Sequence, residues 1–274
     1  LHRLIRRQRQ MCIRDRDYND AQKILKEVNK YRKKNGRKAL KMDRGLTNSA
    51  IMRGFETTIY IPETSPHRRP NGKLSKSINK KIIYENCAQS AETTPKQIVK
   101  GWINSSTHRK GLLLSNAKSV GVAAVTVVSR DGYEANTWVL DFSSSKAKKV
   151  EKSKARKQFT KNIVTKNSYL KKSYLKLDSR YGTIWETEKM QMKPTYQGKM
   201  MKEYGVYPTV INTSSFTSWK SSNPSVASVD SNGRITGNKA GTVTISAKLK
   251  TGTKITISKK IKVVPTNQQI DPWE

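Results

Sequence analysis

The sequence predicts two domains in succession, an α/β sandwich followed by an all-β sandwich. Three observations predict this. Helix-period patterns occupy the first hundred residues and a β-hairpin pattern follows at 119–142. From about residue 169 short alternating runs take over. Between the two regions, residues 146–166 are rich in Lys, poor in apolar residues and without sustained period, which reads as an extended linker. At 274 residues the chain is long enough for two ordinary domains.

Residues 1–16 hold six Arg and no Lys, whereas the remainder strongly prefers Lys. This segment reads as a non-native leader and is set aside from the fold. The first domain then spans 17–145. Ala21, Ile24, Leu25, Val28 and Tyr31 lie at helical spacing over 18–34, and Asn35-Gly36 ends that helix. A second helical pattern runs from about Leu46 to Thr57. Residues 61–80 are loop-like, with Pro62, Pro66, Pro70 and Asn71-Gly72. Thr94, Pro95 and Gln97 spell a capping box with Pro at the first helical position, and Ile98, Val99 and Trp102 would be the buried face. Residues 119–129 are a buried strand, Asp131-Gly132 a hairpin turn, and 134–142 the return strand.

After a linker over 146–168 the β module covers 169–265, with a tail at 266–274. Its runs are 172–178, 187–193, 206–211, 226–229, 242–249 and 253–264, separated by turns such as Asn223-Pro224, Asn232-Gly233 and Thr251-Gly252.

Lys plus Arg number 55 and Asp plus Glu 20, a formal charge of +35. Such a charge attracts polyanions, whether nucleic acid, an anionic membrane surface or a cell-wall polymer, and by itself does not say which. No base-reading or stacking motif recurs at fixed spacing, which argues against a nucleic-acid-binding class. No run of about 18 apolar residues is present to span a membrane as a helix. The two cysteines, Cys12 and Cys87, are too few for a disulfide framework.

Outside the leader only two histidines exist, His67 in PHRRPNGK and His108 in WINSSTHRKGLLL, and Glu85 lies between them in IIYENCAQ. Two imidazoles and one carboxylate suit a divalent ion such as zinc, with water completing the shell, and they also suit acid–base chemistry. On spacing alone, two unrelated histidines on separate loops remain the plainer reading.

Motif order adds weight. VNKYRKKNGRKAL, LTNSAIMRGFE, HRRPNG, YENCA, TPKQIVKGWINSSTHRKGLL and SVGVA succeed one another before a closing aromatic strand. Over about 18–145 this resembles the bacterial branch of the CAP superfamily (SCP-like; cysteine-rich secretory, antigen 5 and pathogenesis-related proteins). The resemblance implies an α-β-α sandwich with a cleft lined by histidines and acidic residues. It implies that His67, Glu85 and His108 line that cleft and hold any metal, with Glu56 of the GFE segment as a fourth cleft candidate. Asn86 and Arg109 become supporting residues, and Ser105 a helix-end residue rather than a nucleophile. Two positions depart from the family pattern. Tyr84 stands where a Gly precedes the glutamate, and Ser106-Thr107 where a Pro-Gly pair precedes the histidine. The first is expected to narrow the cleft and the second to move His108.

Further along, SWKSSNPSVASVDSNGRITGNKAGTVTISAKL resembles the group 2 bacterial immunoglobulin-like domain. That resemblance implies an immunoglobulin-like sandwich, with Trp219, Val226, Val229, Ile235, Val243 and Ile245 as core. The functions that follow are three. The chain is a secreted or cell-surface binding protein taking a lipid, a peptide or a divalent metal, with the β module as spacer or adhesive. Alternatively it is a metal-assisted or Glu85-based hydrolase of peptide or wall polymer. The third reading is a structural surface protein with a vestigial cleft.

Overall fold

The computed structural model describes residues 13–14, 18–58, 67–91, 93–128, 134–148, 166, 170–199, 202, 208–211, 213–250 and 255–267. The chain divides into two compact units, residues 1–165 with 199–207, and residues 166–198 with 208–274. The turn expected at Asp131-Gly132, the one at Thr251-Gly252, and nearly all of the linker lie outside the described residues.

In the first unit, α1 spans Tyr18–Lys34 and buries Ala21, Ile24 and Val28. It ends as the sequence predicts. Gly36 takes φ 67°, and the amides of Gly36 and Arg37 return to the carbonyls of Lys33 and Arg32. The second helix, α2, spans Arg44–Thr58. Beyond the next loop, α3 spans Pro95–Asn104, capped by Thr94 with the Gln97 capping box formed and with Ile98, Val99 and Trp102 buried. A short α4, Ser106–Leu112, follows directly. The sequence reading contains no such helix.

Five strands form one sheet: β1 (Ile13–Arg14), β2 (Lys41–Met42), β3 (Tyr84–Ala91), β4 (Ser119–Val128) and β5 (Glu134–Ser143). The order is β1-β4-β5-β3, with β2 pairing parallel to β4. Two leader residues therefore pair with the sheet, Ile13 opposite Val127 and Arg14 opposite Thr126.

Alternation along β4 and β5 divides the core in two. Val120, Val122, Ala124, Trp138, Leu140 and Phe142 pack with α1 and α3 residues on one face. Ala123, Val125 and Val139 pack with Ala50, Ile51 and Phe55 of α2 on the other, with Cys87 against them. This is the expected α-β-α sandwich. A close approach sets the second face: a β-carbon on Gly121 would lie 2.2 Å from the Leu46 carbonyl. Buried Arg32 joins α1 to the chain after α4, its Nη1 donating to the carbonyls of Leu112 at 2.6 Å and Leu114 at 3.1 Å.

The second unit is all β. Its strands are β6 (Leu175–Asp178), β7 (Thr183–Trp185), β8 (Lys189–Gln191), β9 (Lys193–Tyr196), β10 (Thr209–Val210), β11 (Phe216–Ser221), β12 (Ala227–Val229), β13 (Arg234–Gly237), β14 (Gly241–Leu249) and β15 (Thr256–Val264). They make sheets of order β10-β9-β6, β11-β14-β15-β7 and β12-β13-β8. Ile235, Val243 and Ile245 are core, as expected, together with Ile184, Ile257 and Ile261. Trp219, Val226 and Val229 are only half-buried. The Trp219 ring lies over Gly233, whose turn conformation (φ 76°) leaves room for it where a β-carbon would come within 2.5 Å.

Candidate functional site

The site gathers around β3, the edge strand of the first sheet. Glu85 and Cys87 alternate with Asn86, so they share the face that α2 covers. Glu85 is opposite Asp141 and Cys87 opposite Val139 on β5.

Arg53 of α2 is fully buried and reaches Glu85 twice. Its Nε donates to Oε2 at 2.8 Å and its Nη2 to Oε1 at 3.2 Å. Its Nη1 donates to Glu56 Oε2 at 2.9 Å. Glu56 in turn accepts from Arg69, at 2.7 Å from Nη2 and 2.9 Å from Nε. An alternating chain Glu85–Arg53–Glu56–Arg69 thus ties β3 and α2 to the loop that carries His67. Each buried charge has an opposite neighbour, the condition under which buried charge is tolerated. Burial opposes the charge on Arg53, but its bonds to Glu85 and Glu56 more than offset this and raise its pKa.

The His67 loop is ordered locally. Arg68 bridges Leu74, Gly72 takes φ 82° at the expected Asn71-Gly72 turn, and the Ser75 amide donates to the His67 carbonyl at 2.9 Å. The His67 ring is held with Nδ1 at 3.9 Å from Cys87 Sγ and 2.9 Å from Glu85 Oε1. These two neighbours favour the imidazolium and push its pKa up to about 10. Burial works against ionised Glu85, but His67 and Arg53 overcome it and lower the Glu85 pKa.

His108 is in α4, and three side chains fix that helix. Tyr84 Oη donates to the Thr107 carbonyl at 3.0 Å, Asn86 Nδ2 donates to the His108 carbonyl at 2.9 Å, and Arg32 holds the helix end. A β-carbon on Gly111 would meet Tyr84 and Asn86 at 2.7 Å, so α4 lies directly on β3. Tyr84, at a position that departs from the family pattern, therefore clamps the helix that bears His108. Ser106-Thr107 form its first turn. The His108 ring has Nδ1 at 2.9 Å from Ser105 Oγ. Burial and the charge of His67 lower its pKa, opposed by a hydrogen bond to the Cys87 backbone.

Among the described residues, the potential metal ligands that converge within 4.8 Å of one another are His67, Glu85 and Cys87. Cys87 thus joins His67 and Glu85 in this group, and His108 lies close enough to feel the charge of His67 and to bond the Cys87 backbone. Glu56 is a buried counter-ion between two arginines, Arg53 and Arg69. A nitrogen, an oxygen and a sulfur donor form a set that zinc takes, with a fourth position left to water. An ion held there would have to displace the His67 proton and share Glu85 with Arg53, and it would supply Lewis acidity and a polarised water.

Sequence reasoning missed Arg53, Arg69, Cys87 and Asp141 as site residues. Asp141 is fully buried, and neither carboxyl oxygen has a hydrogen-bond partner among the described residues. Burial, reinforced by the charge of Glu85 and opposed by Arg53, raises its pKa well above the usual carboxylate range. One signal was available for it, a lone acid in the apolar run VLDF.

Comparison with known proteins agrees with this architecture. Residues 25–142 match the family model of the cysteine-rich secretory protein family, CAP. Residues 197–261 match that of the bacterial Ig-like domain, group 2. The uncharacterized protein YkwD of Bacillus subtilis (strain 168) is 34% identical over 107 residues, 38% of this chain and 41% of that protein. The chain thus spans about two-fifths of that relative's length. Among solved structures, an outer surface protein from Borrelia burgdorferi is 15% identical with a TM-score of 0.38, covering 48% of this chain and 99% of that one. An extracellular protein containing a SCP domain from Bacillus anthracis str. Ames is 18% identical with a TM-score of 0.34, covering 45% and 41%. The chain therefore carries a CAP domain of the cysteine-rich secretory protein family at residues 25–142, followed by a group 2 bacterial Ig-like domain at residues 197–261.

Proposed function

We propose that this chain is an extracellular or wall-associated binding protein whose CAP cleft takes up a divalent metal of zinc-like character. The Ig-like domain serves as spacer or adhesive. The observation that carries the reading is the convergence of His67, Glu85 and Cys87 within 4.8 Å, on a strand anchored by buried Arg53. The pairing of a CAP domain with an Ig-like module on a chain of charge +35 supports a place at an acidic envelope. Among the described residues no helix is long and apolar enough to cross a membrane.

The chemistry of Glu85 favours binding over hydrolysis. Its pKa is lowered by His67 and Arg53, which makes it a weak proton acceptor at neutral pH. A general base works best with a pKa near the operating pH, the opposite direction.

Calorimetric titration of metal-free protein with Zn²⁺ tests the reading. One equivalent is expected to bind, and His67→Ala and Cys87→Ser each should weaken binding by roughly tenfold or more. His108→Ala should weaken it less, because His108 stands outside the converging trio. Absence of uptake by a protein with intact helical circular dichroism would overturn the metal assignment.

A further inference from the structure

The outward face of sheet β11-β14-β15-β7 carries a charge pattern that neither the cleft nor the core explains. Strand register sets its rows. Ser218, Lys248 and Thr256 align in one, and Lys220, Ser246 and Ser258 in the next. Thr244 aligns with Lys260, and Thr242 with Lys262 and Thr183. These positions alternate with the inward Val243, Ile245, Ala247, Ile257 and Ile261. Lys220, Lys248, Lys260 and Lys262 are all exposed, and among the described residues none of them is in an ion pair. Lys259, of opposite parity, has Asp178 at 3.3 Å.

No position on this face is acidic, and from Ser231 to Ile270 the chain has eight basic residues and no Asp or Glu. Solubilising surfaces ordinarily intersperse both signs. By strand geometry the face extends about 20 Å along the strands and about 10 Å from β11 to β15. Its four charges lie within one or two screening lengths, about 8 Å each at physiological salt, so they act on a ligand together.

We propose that this face binds a linear polymer of polyol units joined by phosphodiesters, lying across the strands. Ammonium groups meet the phosphates, and the Ser and Thr hydroxyls between them meet the polyol hydroxyls. An open sheet face suits a polymer laid on a surface rather than a small ligand in a pocket. Single-stranded nucleic acid fits less well, because the exposed aromatic of these strands, Trp185 on β7, stands at the edge of the face rather than between the lysines, whereas successive bases need a run of stacking platforms. An anionic bilayer fits less well too, because among the described residues of this face Trp185 alone offers exposed apolar surface for insertion. This inference is independent of metal binding in the CAP cleft.

The test uses the full chain and purified poly(glycerol phosphate). Binding is measured at about 50 and about 200 mM salt for wild type and for the variant Lys220→Gln, Lys248→Gln, Lys260→Gln, Lys262→Gln. A charge-matched control carries Lys26→Gln, Lys30→Gln, Lys33→Gln and Lys34→Gln on α1. The face variant should bind at least about tenfold more weakly at the lower salt, with its log–log salt slope reduced by about 3, and the control should change less than about threefold. Equal losses in the two variants would overturn the proposal, since binding would then follow net charge alone. Tighter binding of oligo(dT) or of phosphatidylglycerol vesicles than of the polymer would also overturn it.

Discussion

Arg53 is the residue on which the cleft depends. It is fully buried, with Glu85 on one side and Glu56 on the other. Truncating it would strand two buried carboxylates, so Arg53→Ala should cost about 3–5 kcal/mol in denaturant unfolding. His67 gives a second prediction. Its folded pKa is raised to about 10 from an ordinary 6.5. Its contribution to stability is therefore fully present below about pH 6.5 and is lost as pH rises through about 10. In metal-free protein the imidazole resonances should titrate near the upper value, and Glu85→Gln should move the midpoint down. Asp141 has a raised pKa by the opposite logic, since burial there finds no hydrogen bond. The unfolded carboxyl ionises first as pH rises, so this residue lowers stability at neutral pH relative to pH 3. Asp141→Asn should raise Tm at pH 7 and change it little near pH 3, where both side chains are neutral.

At the scale of elements, backbone approach decides where helices settle. Gly121 of β4 lies so close to the start of α2 that a methyl group would overlap Leu46. Gly121→Ala should cost roughly 3 kcal/mol, the upper part of the range for overpacking, because backbone cannot swing aside as a side chain can. Elements with a local code were legible in the sequence. The α1 stripe, its Asn35-Gly36 end and the Thr94-Pro95-Gln97 cap all formed as read. Among the elements that were not legible, β3 and α4 build the site, while β2, β7, β9 and β11 are short strands that carry none of its residues. In β3 the period-2 signal is hidden, because Glu85 and Asn86 are both buried polar residues held by partners far along the chain. In α4 only seven residues are helical, too few to display a face. What places it is contact with Tyr84, Asn86 and Arg32.

The whole molecule joins a cleft of paired charges to a module with an unpaired basic face. Motif order singles out His67, Glu85 and His108, and the structure brings His67 and Glu85 within hydrogen-bond distance. Cys87 was not legible, since its significance lies in a 3.9 Å approach to His67 that spacing cannot reveal. The same holds for the face of β14 and β15, where Lys260 and Lys262 become one patch with Lys220 and Lys248 only through strand register.

In the proposed function, His67, Glu85 and Cys87 act as one metal-binding group. Titration of metal-free protein with Co²⁺, followed by absorption spectroscopy, tests it most directly, because thiolate ligation produces a sulfur-to-cobalt charge-transfer band. This band should grow to saturation at one equivalent and disappear in Cys87→Ser. Stoichiometric uptake of Co²⁺ without the band, or a band unchanged in Cys87→Ser, would contradict it.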